Sequence, residues 1–151
     1  MSEISENNTP TSYWVVTGLL VVWSLMGIMA YLGNVGMSAE DLAKYVAEGD
    51  MTQGYADYIA SAPAWTTAVF AVAVFSGVAG AICLLLRKKW AVQLYTVSLV
   101  FILISMFKGF VLDRAGSIMS AGQIFMEFMV VILGIIAVWF SRKKRSAGII
   151  K

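Results

Sequence analysis

Long apolar runs separated by short polar segments make up most of the chain. They cover residues 13–32, 65–86, 90–112 and 124–140. A bilayer core is about 30 Å thick, so a helix that rises about 1.5 Å per residue needs roughly 20 apolar residues to cross it. The first three runs reach that length, and the fourth reaches it when the span begins at Ala121. The pattern predicts an all-α fold, a bundle of four transmembrane helices with spans 13–32, 65–86, 90–112 and 121–140.

Composition leaves no room for a separate soluble domain. Hydrophobic residues make up 60% of the 151 residues and charged residues 13%, about half the charged share of a soluble domain. We therefore expect one membrane domain, 13–145, between two short tails, 1–12 and 146–151. The segment before the first span carries no Lys or Arg. A secretory signal would begin with a basic region, so we expect the first span to be retained.

The distribution of basic residues predicts the orientation in the membrane. Arginine and lysine cluster at 87–89 and at 142–145, and each cluster follows an even-numbered span. Four spans place both clusters on one face, which the positive-inside rule makes cytoplasmic. With Lys151, eight of the eleven basic residues lie there. Both termini are then cytoplasmic, although the N-terminal tail carries only acids, Glu3 and Glu6.

The segment 34–63, between the first two spans, is acidic and amphipathic. It carries five acids and one lysine, a net charge of −4. Ser38 and Asp41 have the spacing of a capping box, and Gly49 suits the C′ position of the helix that follows. A second short piece places Tyr55 and Tyr58 on one side. The segment is predicted to be a helical cap: either two interfacial helices with tyrosines at headgroup level, or a lid over an outward-facing binding site.

Small residues in the second span predict close helix packing. Ala73, Gly77 and Ala81 recur every four residues, and Ser76 with Gly80 forms a second pair beside them. Small residues at this spacing let two helix backbones approach closely. The ridge predicts a neighbouring helix, supplied by this chain or by a second copy.

Ionisable residues within the spans are candidates for function, because charge in hydrocarbon is costly. Glu127 and Lys108 fall at similar depth in the outer leaflet, on consecutive antiparallel helices, and we expect them to form an ion pair. The functional alternative makes Glu127 a proton- or cation-binding group, or Lys108 an anion contact, in an outward-facing cavity. Asp113 and Arg114 extend this candidate polar cluster.

The absence of certain residue types from the sequence excludes several kinds of metal and redox site. The chain has no histidine and one cysteine, Cys83, so His-ligated metals, an intramolecular disulfide and CxxC redox chemistry are excluded. Phosphate loops and hydrolase motifs are also missing from the sequence. We expect no enzyme activity, no metal and no cofactor. The basic C-terminal run directly follows a span, which indicates contact with anionic lipid and no nucleic acid.

Two stretches resemble a group of small bacterial four-span membrane proteins. The first is Ala62-Pro63-Ala64-Trp65 leading into the Gly/Ala-rich run Phe70-Ala71-Val72-Ala73-Val74-Phe75-Ser76-Gly77. The second is Leu84-Leu85-Leu86-Arg87-Lys88-Lys89-Trp90-Ala91. That group is mostly uncharacterised, and some members are labelled sugar transporters. The resemblance implies a bacterial inner-membrane protein with the four-span fold, and it implies transport as a hypothesis.

Two classes of function are consistent with these features. The first is a non-enzymatic accessory or interaction protein that acts through helix contacts and the acidic cap. The second is a small-solute transporter or channel, working as an oligomer because four short helices enclose little volume. Polar groups lie only in the predicted outer half, which favours the first class. The expected partners are the lipid bilayer and either a second copy or another membrane protein.

Overall fold

The computed structural model describes residues 9–151, which form helices joined by short turns and contain no strand. The helices are α1 (Thr11–Gly36), α2 (Ala39–Ala47), α3 (Gln53–Ala60), α4 (Ala64–Leu85), α5 (Trp90–Phe107) and α6 (Ala121–Ser146). A π-helical turn, Lys108–Leu112, extends α5, and a short 3₁₀ turn, Ala115–Ser117, precedes α6. The predicted tail 1–12 lies mostly outside the described residues, and so do Glu3 and Glu6.

The four-helix prediction is confirmed. The helices α1, α4, α5 with its π turn, and α6 are each long and apolar enough to cross a membrane. Many large apolar side chains on them are exposed, such as Leu19, Met29 and Ile132. In water this surface would be unstable, whereas a bilayer solvates it. The fold is therefore that of a multi-pass membrane protein.

The long helices pack in a row, with α4 against α1 and α5, and α5 against α4 and α6. The first basic cluster, 87–89, lies between α4 and α5, and the second, 142–145, lies in the last turns of α6. Both are at the same end of the bundle, called here the basic end. The helices α2 and α3 lie at the other end, called here the cap end. Four tryptophans near the span ends are 45–61% exposed: Trp14, Trp65, Trp90 and Trp139. This placement matches the aromatic belts of a membrane protein.

The closely packed core is concentrated at the basic end. Tyr13 of α1, Leu84 of α4 and Phe140 of α6 are almost fully buried there, with Ala91 and Tyr95 of α5. The Tyr13 hydroxyl donates to the Leu84 carbonyl at 2.5 Å. The Tyr13 ring also stacks on Phe140 with centroids 5.8 Å apart, so the outermost helices of the row meet at this end.

The C-terminal segment folds back onto this core. The helix α6 continues through the second basic cluster to Ser146 and ends with Gly148 at φ 72°. The Lys151 amide donates to the Arg87 carbonyl at 2.9 Å, and the Lys89 amide donates to the Lys151 carbonyl at 2.8 Å. Ile150 is 2% exposed as a result. The predicted tail 146–151 is thus part of the packed structure.

The cap contains the two short helices that the sequence predicts. Ser38 and Asp41 form the predicted capping box at the start of α2. Gly49 follows α2 at φ 82°, a conformation that costs glycine little. The Thr52 hydroxyl caps the start of α3 by accepting a hydrogen bond from the Tyr55 amide. The same hydroxyl donates to the Ile118 carbonyl of the α5–α6 connection. This contact joins the cap to the opposite side of the bundle.

Candidate functional site

A polar cluster joins the cap to the cap end of α5. The Lys108 ammonium forms a salt bridge with Asp113, and the Tyr58 hydroxyl donates to the same carboxylate at 2.8 Å. The Lys108 nitrogen lies 5.2 Å from the Tyr58 ring centroid and 5.6 Å from that of Trp65, in cation–π range. The hydrogen bonds of Lys108 and Tyr58 hold the pKa of Asp113 below its ordinary value of 3.8.

The π turn explains why Lys108 pairs with Asp113. Residues five apart on an α-helix point about 140° away from each other. Here the Asp113 amide bonds to the Lys108 carbonyl at 2.9 Å, an i to i+5 bond that widens the turn. The wider turn brings the two side chains to the same side. A single π turn of this kind is often found at a functional position.

The prediction of a Lys108–Glu127 ion pair is wrong. The salt bridges of residues 9–151 join Lys44 to Glu48 and Lys108 to Asp113. Arg114 belongs to neither, and it adopts a left-handed conformation at φ 51° in the turn before the 3₁₀ helix. The sequence-predicted cluster therefore separates into a Lys108–Asp113 pair, an arginine in a turn, and Glu127 elsewhere.

Glu127 lies in the wall of a cleft at the cap end. The cleft has a volume of about 530 Å³ and lies between the cap ends of α1 and α6. Ala30, Gly33 and Asn34 line it from α1, and Gly122, Gln123, Met126 and Glu127 line it from α6. A Cβ atom added at Gly33 or Gly122 would meet nothing within 4 Å. The outermost helices, which touch at the basic end, are therefore apart at the cap end.

The cap also lines the cleft, through residues that include Asp50, Tyr55 and Ile59. Burial raises the pKa of Tyr55 to about 12, and the negative charge of Glu127 adds to the effect. Tyr55 is therefore neutral at physiological pH and has a hydroxyl to donate. Its ring stacks on Tyr58, with centroids 5.9 Å apart. This stacking connects the cleft wall to the Lys108–Asp113 pair.

Methionine is the most frequent side chain in the cleft. Four of its lining residues are methionines: Met37, Met51, Met119 and Met126. The thioether side chain is unbranched and flexible, so it adapts to apolar surfaces of different shape. A carboxylate among such side chains suits a ligand with an apolar body and a positive group.

The cleft does not continue to the basic end. Below it, Thr17 and Leu20 of α1, Ala81 of α4 and Tyr95 of α5 are all at most 5% exposed. The Thr17 hydroxyl oxygen and the Tyr95 hydroxyl have no hydrogen-bond partner among the described residues. The packed half of the bundle therefore closes the bottom of the cleft.

The small-residue ridge of α4 faces α5 of the same chain. The Ser98 hydroxyl donates to the Ala73 carbonyl at 2.7 Å across the two helices. A Cβ atom at Gly77 would lie 3.1 Å from the Ser98 oxygen, and one at Gly80 would lie 3.1 Å from the Tyr95 ring. Ala81 is 2% exposed. The Ser76 hydroxyl instead bonds to carbonyls of its own helix.

The sequence leaves two interpretations open for Tyr55 and Tyr58, a position at headgroup level or a place in a lid over a site. In the structure, Tyr55 lies close to Glu127 and Tyr58 bonds to Asp113. Their spacing showed that they share a side of α3, but it did not show which side faces the protein. Within residues 9–151, no group of three or more His, Cys, Asp or Glu side chains could hold a metal ion.

Comparison with known proteins adds no relative. No protein-family model, curated protein or solved structure matches the chain.

Proposed function

We propose that the protein is a non-enzymatic accessory protein of the membrane that binds a partner protein in the cap-end cleft. The partner contributes an amphipathic segment with a basic residue, which places its charge beside Glu127 and its apolar side against the methionines. The single observation that carries this proposal is the cleft itself, an acid-containing, methionine-lined opening at one end of a bundle whose other end is packed.

Charge supports a basic partner segment. Asp50 and Glu127 both line the cleft, and the segment 34–63 has a net charge of −4. A carboxylate in a partly desolvated site interacts more strongly with a cation than it would in water. Flexible methionine surfaces are typical of proteins that bind apolar helices of varied sequence.

The proposed orientation places the basic end in the cytoplasm and the cleft on the outer side, from the positive-inside rule. The resemblance to small bacterial four-span proteins makes the inner membrane the proposed location. A partner would then reach the cleft from the outer leaflet or the outer surface.

A photocrosslinking residue at Gly122 in native membranes tests the proposal. Gly122 lines the cleft and has open space around it. We expect a discrete adduct with one other protein, which weakens strongly in the Glu127→Gln background. A crosslinker at Val100, 47% exposed on α5, is the matched control and should give lipid adducts only. Lipid adducts at both positions contradict the proposal.

A small-solute transporter is the second candidate, favoured by one observation. Glu127 is the only acid within the four spans, and it belongs to neither salt bridge of residues 9–151. Such a carboxylate could bind a cation or a proton during transport. Uptake of tetraphenylphosphonium or of labelled sugars into proteoliposomes tests this candidate. Uptake that Glu127→Gln abolishes would favour the transporter over the accessory protein.

A further inference from the structure

A second cleft, at the basic end, is lined by two arginines. It has a volume of about 570 Å³, and its lining consists of Val92 from α5 with Arg142, Arg145 and Ser146 from α6. Residues 142, 145 and 146 are three and four positions apart, so they lie on one side of α6. This side faces the first turn of α5.

Three neighbouring cations of this end have side-chain contacts of their own. Lys143 lies 4.8 Å from the Trp139 ring centroid and Lys144 lies 5.2 Å from that of Phe140. The Arg87 side chain donates to the Ile149 carbonyl at 3.0 Å. Arg142 and Arg145 take part in neither of the salt bridges of residues 9–151.

The aspartate and glutamate side chains that could neutralise these arginines lie far away within the described residues. Those of residues 9–151 belong to the segment 34–63, to Asp113 and to Glu127, which are all at the cap end. Two neighbouring guanidinium groups at one cleft repel each other, and an external anion relieves that repulsion. A phosphate suits them because guanidinium binds phosphate oxygens through two parallel hydrogen bonds.

The depth of the cleft indicates the source of the phosphate. Trp139 is 58% exposed, as expected for a residue of the interfacial belt. Arg142 follows it by three residues, a rise of about 4.5 Å toward the aqueous side. The guanidinium groups then lie at the level of lipid phosphates. Val92, only 8% exposed, forms an apolar wall beside them.

We propose that Arg142, Arg145 and Ser146 form a binding site for the phosphodiester headgroup of an anionic phospholipid. The lipid occupies the leaflet at the basic end, with its phosphate between the two guanidinium groups. Basic clefts beside transmembrane helices are suited to such headgroups. This site lies at the opposite end from the cap-end cleft, and it does not depend on the function proposed for that cleft.

Native mass spectrometry of the full-length protein in detergent tests the proposal with phosphatidylglycerol and phosphatidylcholine as probes. We expect phosphatidylglycerol to bind more tightly than phosphatidylcholine. Arg142→Gln with Arg145→Gln should weaken its binding by about tenfold or more for each arginine, because each loses charge-assisted hydrogen bonds to the phosphate. Lys88→Gln with Lys89→Gln removes the same charge from the same end. That control should leave most of the binding intact.

Two further measurements distinguish a specific lipid-binding site from general electrostatic attraction between cations and anionic lipid. Arg142→Lys with Arg145→Lys keeps both charges but removes the paired hydrogen bonds, so phosphatidylglycerol binding should still fall. This variant also serves if the double glutamine variant does not fold. The proposal would be overturned if Arg142→Gln with Arg145→Gln and Lys88→Gln with Lys89→Gln lost equal amounts of phosphatidylglycerol binding. Full binding by the Arg→Lys variant would also overturn it. Displacement of the lipid by inorganic phosphate at equal concentration would overturn the lipid as ligand.

Discussion

The contact between α4 and α5 leads to a sharp prediction at Gly80. Alanine there would place a Cβ atom 3.1 to 3.2 Å from three atoms of the Tyr95 ring. The ring is 5% exposed and belongs to the packed core, so it has little space into which to move. Overpacking of this kind costs about 1–3 kcal/mol. Replacing glycine by alanine inside a helix returns about 1 kcal/mol. We expect Gly80→Ala to destabilise the protein by about 0–2 kcal/mol.

Gly18→Ala in α1 is the matched control. It is the same substitution within a transmembrane helix, but a Cβ atom there meets nothing within 4 Å. We expect it to stabilise the protein by about 1 kcal/mol. The difference between the two variants cancels the helix preference and leaves the overpacking, about 1–3 kcal/mol.

The assay is reversible unfolding in mixed dodecyl maltoside and SDS micelles, followed by tryptophan fluorescence. In a Tyr95→Leu background the ring is absent, and Gly80→Ala should then stabilise as Gly18→Ala does. Equal free energies for the two alanine variants in the wild-type background would refute the reasoning. They would mean that Gly80 does not pack against Tyr95.

Three further predictions concern the pairing at the cap end, the C-terminal segment and the orientation. Asp113→Asn should destabilise the protein more than Glu127→Gln in the same assay, because only Asp113 has a cation partner. The pKa of Asp113 is lowered, so the stabilisation from its ion pair is present above the ordinary value of 3.8 and is lost as the pH falls through the lowered value. The free energy of unfolding of the wild-type protein should therefore fall over this pH range, and Asp113→Asn should lack this fall. The same pH dependence in both proteins would contradict the pairing. Ile150→Ala should cost about 2–5 kcal/mol in thermal or SDS unfolding, since Ile150 is 2% exposed, whereas Ile136→Ala, at a position 41% exposed, should cost far less. With Cys83 replaced, a cysteine at position 146 should react with a membrane-impermeant thiol reagent only from the cytoplasm, and one at position 50 only from outside. The reverse pattern would contradict the proposed orientation.

Much of the fold could be predicted because membrane insertion is decided by local sequence. Each span needs only its own length of apolar residues, and its backbone hydrogen bonds are made within the helix. The capping box at Ser38 and the C′ glycine at Gly49 are equally local, and the structure confirms both. The ridge of α4 indicated a close neighbour, and its alternatives were resolved only when the structure placed α5 against it.

The geometry of the candidate site depends on which side of each helix faces which neighbour, and sequence periodicity does not specify this. The sequence placed Lys108 and Glu127 at similar depth, but depth alone does not fix which side of a helix faces which neighbour. A π turn rotated Lys108 toward Asp113, and α3 turned Tyr55 and Tyr58 inward. The sequence by itself determined four apolar helices, the acidic cap and the segregation of basic residues to one end. Only the tertiary structure decided that the helices meet at the basic end and separate at the cap end, because the spacing between helices depends on side chains distant in the chain.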